Sequence, residues 1–282
     1  MSLYDDDDPP PVQKTSTSSL YDDDDEPPPV KRKYGEEPSS SLGNKYEVEA
    51  IETKVKVVGQ TLKEEFPVKE HALLAVVSAR KGERDEMQDC HILDGAYCLH
   101  KRFLRRTALY GVFDGHAGSR AAQHCERELP NLLNTKLSSF GDQTSMEKLL
   151  KKTFTSCYKE LDDSFLAEAK KEKPVCKDGT TATTVLILND SIFVANIGDS
   201  KAIVARFKYE NQPIPVVLTV DHNPTIYEER MRIQTTGASV VNGRVNGILE
   251  VSRSIGDGQF KNNGVICIPD MRKCTITEED NE

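Results

Sequence analysis

From residue 71 onward the chain alternates short apolar runs with amphipathic stretches. Residues 73–77 and 108–113 are nearly continuous apolar runs, the mark of buried strands. Residues 119–137 carry apolar residues at helical spacing and predict a helix broken near Pro130, which lacks an N–H. Thr144-Ser145-Met146-Glu147 has the form of a capping box, with Thr144 as N-cap and Glu147 three residues on. The helix it opens puts Leu150, Phe154, Cys157, Tyr158, Leu161 and Phe165 on one face, since steps of three and four follow the helical period. Residues 181–188 and 192–197 flank Asn189-Asp190, a tight-turn pair, and predict a hairpin. Residues 201–207 and 216–220 predict two more strands. Thr225-Ile226-Tyr227-Glu228 is a second capping box, and its helix should end before Gly237, which suits a left-handed C′ position. Strands cluster and helices come separately, so the expected class is α+β with antiparallel pairing.

The first 44 residues depart from this pattern. They hold eleven acidic and four basic residues, a net −7, against −2 for the remaining 238, and seven of the 14 prolines. Residues 1–44 therefore read as a disordered acidic, Pro-rich tail, 45–70 as a lead-in whose order the pattern leaves open, and 71–282 as one folded domain. Within the tail, Ser2-Leu3-Tyr4 with Asp5 to Asp8 and Pro9 to Pro11 recurs as Ser19-Leu20-Tyr21 with Asp22 to Asp25, Glu26 and Pro27 to Pro29. Two copies suit a docking motif whose linkage raises avidity, or simply a solvated tail. Lys31-Arg32-Lys33 is a weak nuclear-import pattern.

The net charge of −9 argues against general nucleic-acid binding, which needs a basic face. No run approaches the roughly 18 apolar residues of a membrane span, and the N-terminus has neither signal-peptide nor transit-peptide character. The expectation is a cytoplasmic or nuclear monomer with no membrane partner. Seven cysteines without a Cys-x-x-Cys pair suit scattered thiols in a reducing compartment.

Candidate chemistry sits where apolar runs end in acids. Phe113-Asp114-Gly115-His116-Ala117-Gly118 closes one run; a hard cation can use the Asp114 carboxylate and the Gly115 carbonyl together. Gly198-Asp199-Ser200 closes a second, and Ile255-Gly256-Asp257-Gly258 a third. Residues 82–91 crowd four acids and Arg84 ahead of a strand, and a guanidinium suits phosphate oxygens. Each alone reads more simply as a turn or a solvated charge run. Together, oxygen ligands without thiolates select magnesium or manganese over zinc.

These motifs, with Asp178-Gly179-Thr180-Thr181-Ala182, Asp221-His222-Asn223-Pro224 and Val251-Ser252-Arg253-Ser254, resemble the metal-dependent protein phosphatases of type 2C, in family order from about residue 78 on. The resemblance implies two packed antiparallel β-sheets flanked by helix pairs. It implies dephosphorylation of phosphoserine and phosphothreonine in phosphoprotein substrates, using two Mg²⁺ or Mn²⁺ ions. Asp114 matches the bridging ligand, Gly115 the backbone-carbonyl ligand, Asp89 a ligand of the second metal and Asp199 a carboxylate near a weaker position. Arg84 matches the phosphate-orienting residue and His116 the general acid, while Arg253 and Asp257 fall in a motif taken as structural. Details such as Lys81-Gly82-Glu83-Arg84 and Glu86-Met87-Gln88-Asp89 resemble one subgroup that also carries a repeated acidic N-terminal stretch.

Three departures qualify this. Gln88 stands where many members carry Glu. Lys201 stands where they carry Arg, so a two-pronged contact should be lost. The family also continues past the position of Glu282 with strands carrying Asp-Gly and Asp-Asn, which complete the first metal's shell. The domain is thus expected to be C-terminally incomplete, and residues 1–282 alone to show little phosphatase activity. The alternative is a catalytically inactive phosphatase acting as a binding or regulatory protein.

Overall fold

The structure is a computed structural model that describes residue 73, residues 75–208 and residues 212–276. The tail, with its repeat and basic triplet, and the lead-in lie outside the described residues, as does Leu74. In chain order the elements are β1 (Cys90–Asp94), β2 (Thr107–Phe113), β3 (Gly115–His116), α1 (Arg120–Leu137), α2 (Gln143–Ala169), β4 (Gly179–Thr180), β5 (Ala182–Leu188) and β6 (Ser191–Ile197). They continue with β7 (Ile203–Lys208), β8 (Gln212–Val217), α3 (Tyr227–Thr235), β9 (Val240–Val241), β10 (Arg244–Val245), β11 (Ile255–Gly256), a 3-10 turn (Gly258–Asn263) and β12 (Asp270–Thr275).

β1, β2, β5, β6 and β12 form one antiparallel sheet in the order β1-β2-β5-β6-β12. Register sets Leu109 against Leu186 and Leu186 against Phe193. These side chains share a core with Leu129 and Leu133 of α1 and Leu150, Phe154 and Leu161 of α2. Burying each such side chain contributes roughly 1.5–3 kcal/mol. The predicted face of α2 is thereby filled, and Phe165 continues it in a smaller cluster with Ala121. Tyr158, fully buried, shares a hydrogen bond with Thr184 Oγ1 at 2.9 Å and so fixes α2 to β5. Three smaller antiparallel pieces complete the sheets: β11-β4-β3, β7-β8 and β10-β9.

Several local expectations shift. The 73–77 run is not a strand among its described residues: Leu73 N–H donates to Gly95 O, and Val76 is 79% exposed. Apolar composition without a pairing edge does not make a strand. α1 runs unbroken through Pro130. The missing donor and ring clash cost about 3 kcal/mol, and the burial of Cys125, Leu129, Leu133 and Leu137 outweighs that. α2 starts earlier than expected because Asp142, not Thr144, is the N-cap; its carboxylate accepts from Ser145 N–H at 2.9 Å. Glu147 is instead bonded by Lys273 and Gln143. The N-cap of α3 is Ile226, and Thr225 bonds Asn223 rather than capping. Gly237 does take the left-handed conformation, at φ +84°. β7 and β8 pair only with each other, and β8 ends at Val217, short of the predicted 220. All seven cysteines are free thiols, with Cys125, Cys157, Cys176 and Cys267 buried. No helix among the described residues is long and apolar enough to cross a membrane.

Candidate active site

The apolar residues of β2 end in buried Phe113, and the next residue, Asp114, leaves the sheet. Its backbone is held from both sides by Thr181, whose N–H donates to Asp114 O at 3.0 Å and whose Oγ1 accepts from Asp114 N–H at 3.2 Å. Thr181 Oγ1 also meets Ser200 Oγ at 2.9 Å. One threonine therefore ties the Asp114 turn to the turn that carries Asp199. Two links from the other side of that turn hold it in place: His222 N–H donates to Gly198 O, and Asn196 Nδ2 donates to Val220 O.

Gly115 admits the third acid. A Cβ there would lie 2.2 Å from Gln88 O, so only glycine lets the 88–89 backbone pass this close. Asp89 then stands within hydrogen-bonding reach of the Asp114 carboxyl. Asp89, Asp114 and Asp199 are all open to solvent. Asp114 is nonetheless pushed above the ordinary carboxylate range, first by partial burial and then by the charges of Asp89 and Asp199. His116 is the group that pulls it back down.

His116 continues from Gly115 in β3, paired with β4, which pairs in turn with β11. This short ladder stacks the Asp-Gly-His, Asp-Gly-Thr and Ile-Gly-Asp motifs side by side. His116 Nε2 meets Asp257 Oδ2 at 2.7 Å. Burial lowers the imidazole pKa, but the Asp257 hydrogen bond and the Asp257, Asp114 and Asp199 charges raise it above the ordinary value on balance. Asp178, 1% exposed, accepts from Arg120 Nη2 at 2.9 Å, Nε at 3.0 Å and N–H at 3.1 Å. It thereby fixes the start of α1 against β4.

The structure thus brings together Asp89, Asp114, Gly115, Asp199 and His116 of the expected set. Arg84 lies on an exposed turn ahead of β1 and makes no hydrogen bond or ion pair to the cluster among the described residues. Two expectations are corrected. Lys201 keeps a two-pronged contact, reaching both Asp221 oxygens at 2.5 and 2.7 Å, because one ammonium can sit between them. Asp257 is not merely part of a structural motif, since it is the partner of His116. Its Gly-Asp-Gly setting at an apolar run's end was the available signal, the same signature that marks Asp114 and Asp199.

Residues 74–282 match the protein phosphatase 2C family. The chain is 45% identical over 214 residues to "Integrin-linked kinase-associated serine/threonine phosphatase 2C" of Bos taurus, covering 74% of this chain and 58% of that protein. It is 45% identical over 213 residues to the Homo sapiens protein of the same name, covering 74% and 54%. The chain therefore spans little more than half the length of those relatives. Among solved structures it is similar to a C. elegans sex determining protein, with TM-score 0.58 at 24% identity over 71% of this chain and 48% of that one. It is also similar to serine-threonine phosphatase 2C from Toxoplasma gondii, with TM-score 0.53 at 20% identity over 68% and 74%. At such identities the structural likeness speaks for the fold. With the match running from residue 74 to 282, and with the motifs meeting at one corner of an antiparallel α+β fold, the chain belongs to the protein phosphatase 2C family.

Proposed function

We propose that the reaction of this domain is hydrolysis of phosphoserine and phosphothreonine monoesters in proteins, with Mg²⁺ or Mn²⁺ held at the Asp114 cluster, two ions to a site. The observation that carries the proposal is the crowding of Asp89 and Asp199 on a solvent-open Asp114 beside His116. Three carboxylates acting on one another against a single imidazole leave negative charge in excess, which favours a cation. The donor set fits a hard divalent ion, since every side-chain donor is a carboxylate oxygen. Among the described residues no three His, Cys, Asp or Glu side chains are grouped so as to hold a metal by themselves.

A bound divalent cation supplies Lewis acidity toward water and phosphoryl oxygen. The chain's own residues supply the rest. Asp114, with the charges of Asp89 and Asp199 acting on it, would hold the cation at the end of β2, with Gly115 next in the chain. As the oxygen of water bonds to phosphorus, the ester P–O bond breaks, and His116 gives its proton to the departing serine or threonine oxygen. A raised imidazole pKa keeps that proton available near neutrality. Arg84, on its exposed turn, serves phosphate or substrate approach. The relatives' printed names, serine/threonine phosphatases, support the same reading.

The test is phosphate release from a phosphothreonine peptide with and without Mn²⁺, for the chain and for a form extended by the two Asp-bearing strand segments. Mn²⁺-dependent release that vanishes in Asp114→Asn supports the proposal. Release that survives Asp114→Asn overturns the site. Mn²⁺ binding without release in either form favours the binding or regulatory reading.

A further inference from the structure

We infer that Asp257 is the positioning residue of His116: it holds the imidazole by Nε2 and leaves Nδ1 as the nitrogen available to substrate. The hydrogen bond is 2.7 Å, and the Asp257 side chain is 2% exposed, so water competes little for it.

The surroundings are built around this contact. In the three-stranded ladder, Gly179 lies opposite both His116 and Gly256. Asp257, next after Gly256, meets His116 across that glycine. A Cβ on Gly179 would lie 2.2 Å from Asp257 Oδ2 and 2.4 Å from His116 Nε2, so any side chain there would break the pair. Asp257 itself is left-handed, at φ +52° and ψ +42°, a conformation costing about 1–2 kcal/mol outside glycine. It is held there from both flanks. Asp257 N–H donates to Asp178 O at 3.0 Å, and the N–H of Gly256 donates to buried Asp162 at 2.8 Å. The other carboxylate nearby, Asp178, is occupied by Arg120 and Cys176, so the two acids are not interchangeable.

A carboxylate that takes one ring N–H fixes both the orientation and the tautomer of an imidazole. With Nε2–H given to Asp257, only Nδ1 can exchange a proton with a bound ester. The catalytic consequence rests on the hydrolase reading above; the pairing does not.

The two are tested separately. In ¹⁵N-histidine protein, long-range ¹H–¹⁵N spectra report the His116 tautomer, with the signal assigned by its loss in His116→Gln. The expected result for the unaltered protein, at a pH where the imidazole is neutral, is the Nε2–H form with a slowly exchanging ring proton. Asp257→Asn should shift it toward Nδ1–H or a mixture, and Asp257→Glu should restore it in part. An Nδ1–H or freely exchanging His116 in the unaltered protein overturns the inference without reference to any variant's folding. In the hydrolysis assay, Asp257→Asn should lower kcat for the phosphothreonine peptide about 10²-fold with little change in KM, and lower it far less for p-nitrophenyl phosphate, whose leaving group needs little protonation. An equal loss on both substrates would make Asp257 structural only. If the spectra behave as expected but no form releases phosphate, the pairing stands and the hydrolase reading fails.

Discussion

Glu229 and Asp114 are both carboxylates set between packed elements, and their surroundings drive them in opposite directions. Glu229 is 2% exposed. Burial alone would raise its pKa, but it accepts from Arg232 at 2.8 and 2.6 Å, from Arg253 at 2.7 Å and from Ser252 Oγ at 2.5 Å. These bonds hold it far below the ordinary carboxylate range. Arg253 goes on to Ile268 O and Asp270, and Arg232 to Ser252 O and Gly264 O. Each charge in this knot is spent inside the protein, joining α3 to the segments before β11 and β12. Asp114 is the reverse case: it is open to solvent, and partial burial together with the charges of Asp89 and Asp199 raises its pKa. The difference separates charge used to close a fold from charge left facing solvent.

The comparison breaks most readily at Glu229. Glu229→Ala leaves two arginines without their carboxylate and should destabilise the fold by about 3–5 kcal/mol in urea unfolding. A loss under about 1 kcal/mol would mean the knot is not structural.

Gly179→Ala comes next. The new methyl displaces the His116–Asp257 pair and should cost about 1–3 kcal/mol in the same measurement. It should also scramble the His116 ring signals. Unchanged stability and spectra would show that the pair does not pass over Gly179 as described.

The pH dependence should carry opposite signs at the two carboxylates. Glu229 binds fewer protons folded than unfolded, so its contribution is full above the ordinary glutamate range and is lost as pH falls through the depressed folded value. Asp114 binds more protons folded than unfolded between the ordinary aspartate range and its raised folded value. Stability should therefore fall as pH rises through that window. Without divalent cation, Asp114→Asn should remove that decline and match or slightly exceed the parent in stability at neutral pH. A steeper decline in the variant would reverse the sign assigned to Asp114.

The smallest effect belongs to a solvated pair. Lys159→Ala removes an exposed i,i+4 bridge to Asp163 on α2 and should cost no more than about 0.5 kcal/mol. A larger loss would show that exposed ion pairs, too, close this fold.

The sequence carried the parts of this picture that depend on local pattern. The face of α2 from Leu150 to Phe165 followed from periodicity, and the β5–β6 hairpin from Asn189-Asp190. The acids at apolar run ends, Asp114 and Asp199, were legible because a glycine turn after or before an acid is a local event. What was not legible depends on partners distant in sequence. Val76 and its neighbours look like a strand but form none among the described residues. Pro130 looks like a break until the buried side chains around it are counted. The Asp142 cap competes with a better-known motif only two residues away. Asp257 could be assigned to His116 only once β3, β4 and β11 were aligned, since 141 residues separate the two. Lys201 looked like a lost contact until Asp221 was found beside it.

The role proposed for the Asp114 cluster is to stay open for a hard cation. The most direct measurement is Mn²⁺ binding by titration calorimetry to the protein, to Asp114→Asn, and to Lys159→Ala as a variant away from the cluster. Saturable binding is expected for the protein and for Lys159→Ala, weakened at least about tenfold in Asp114→Asn, a difference of about 1.4 kcal/mol. Equal Mn²⁺ affinity in the protein and in Asp114→Asn would contradict it.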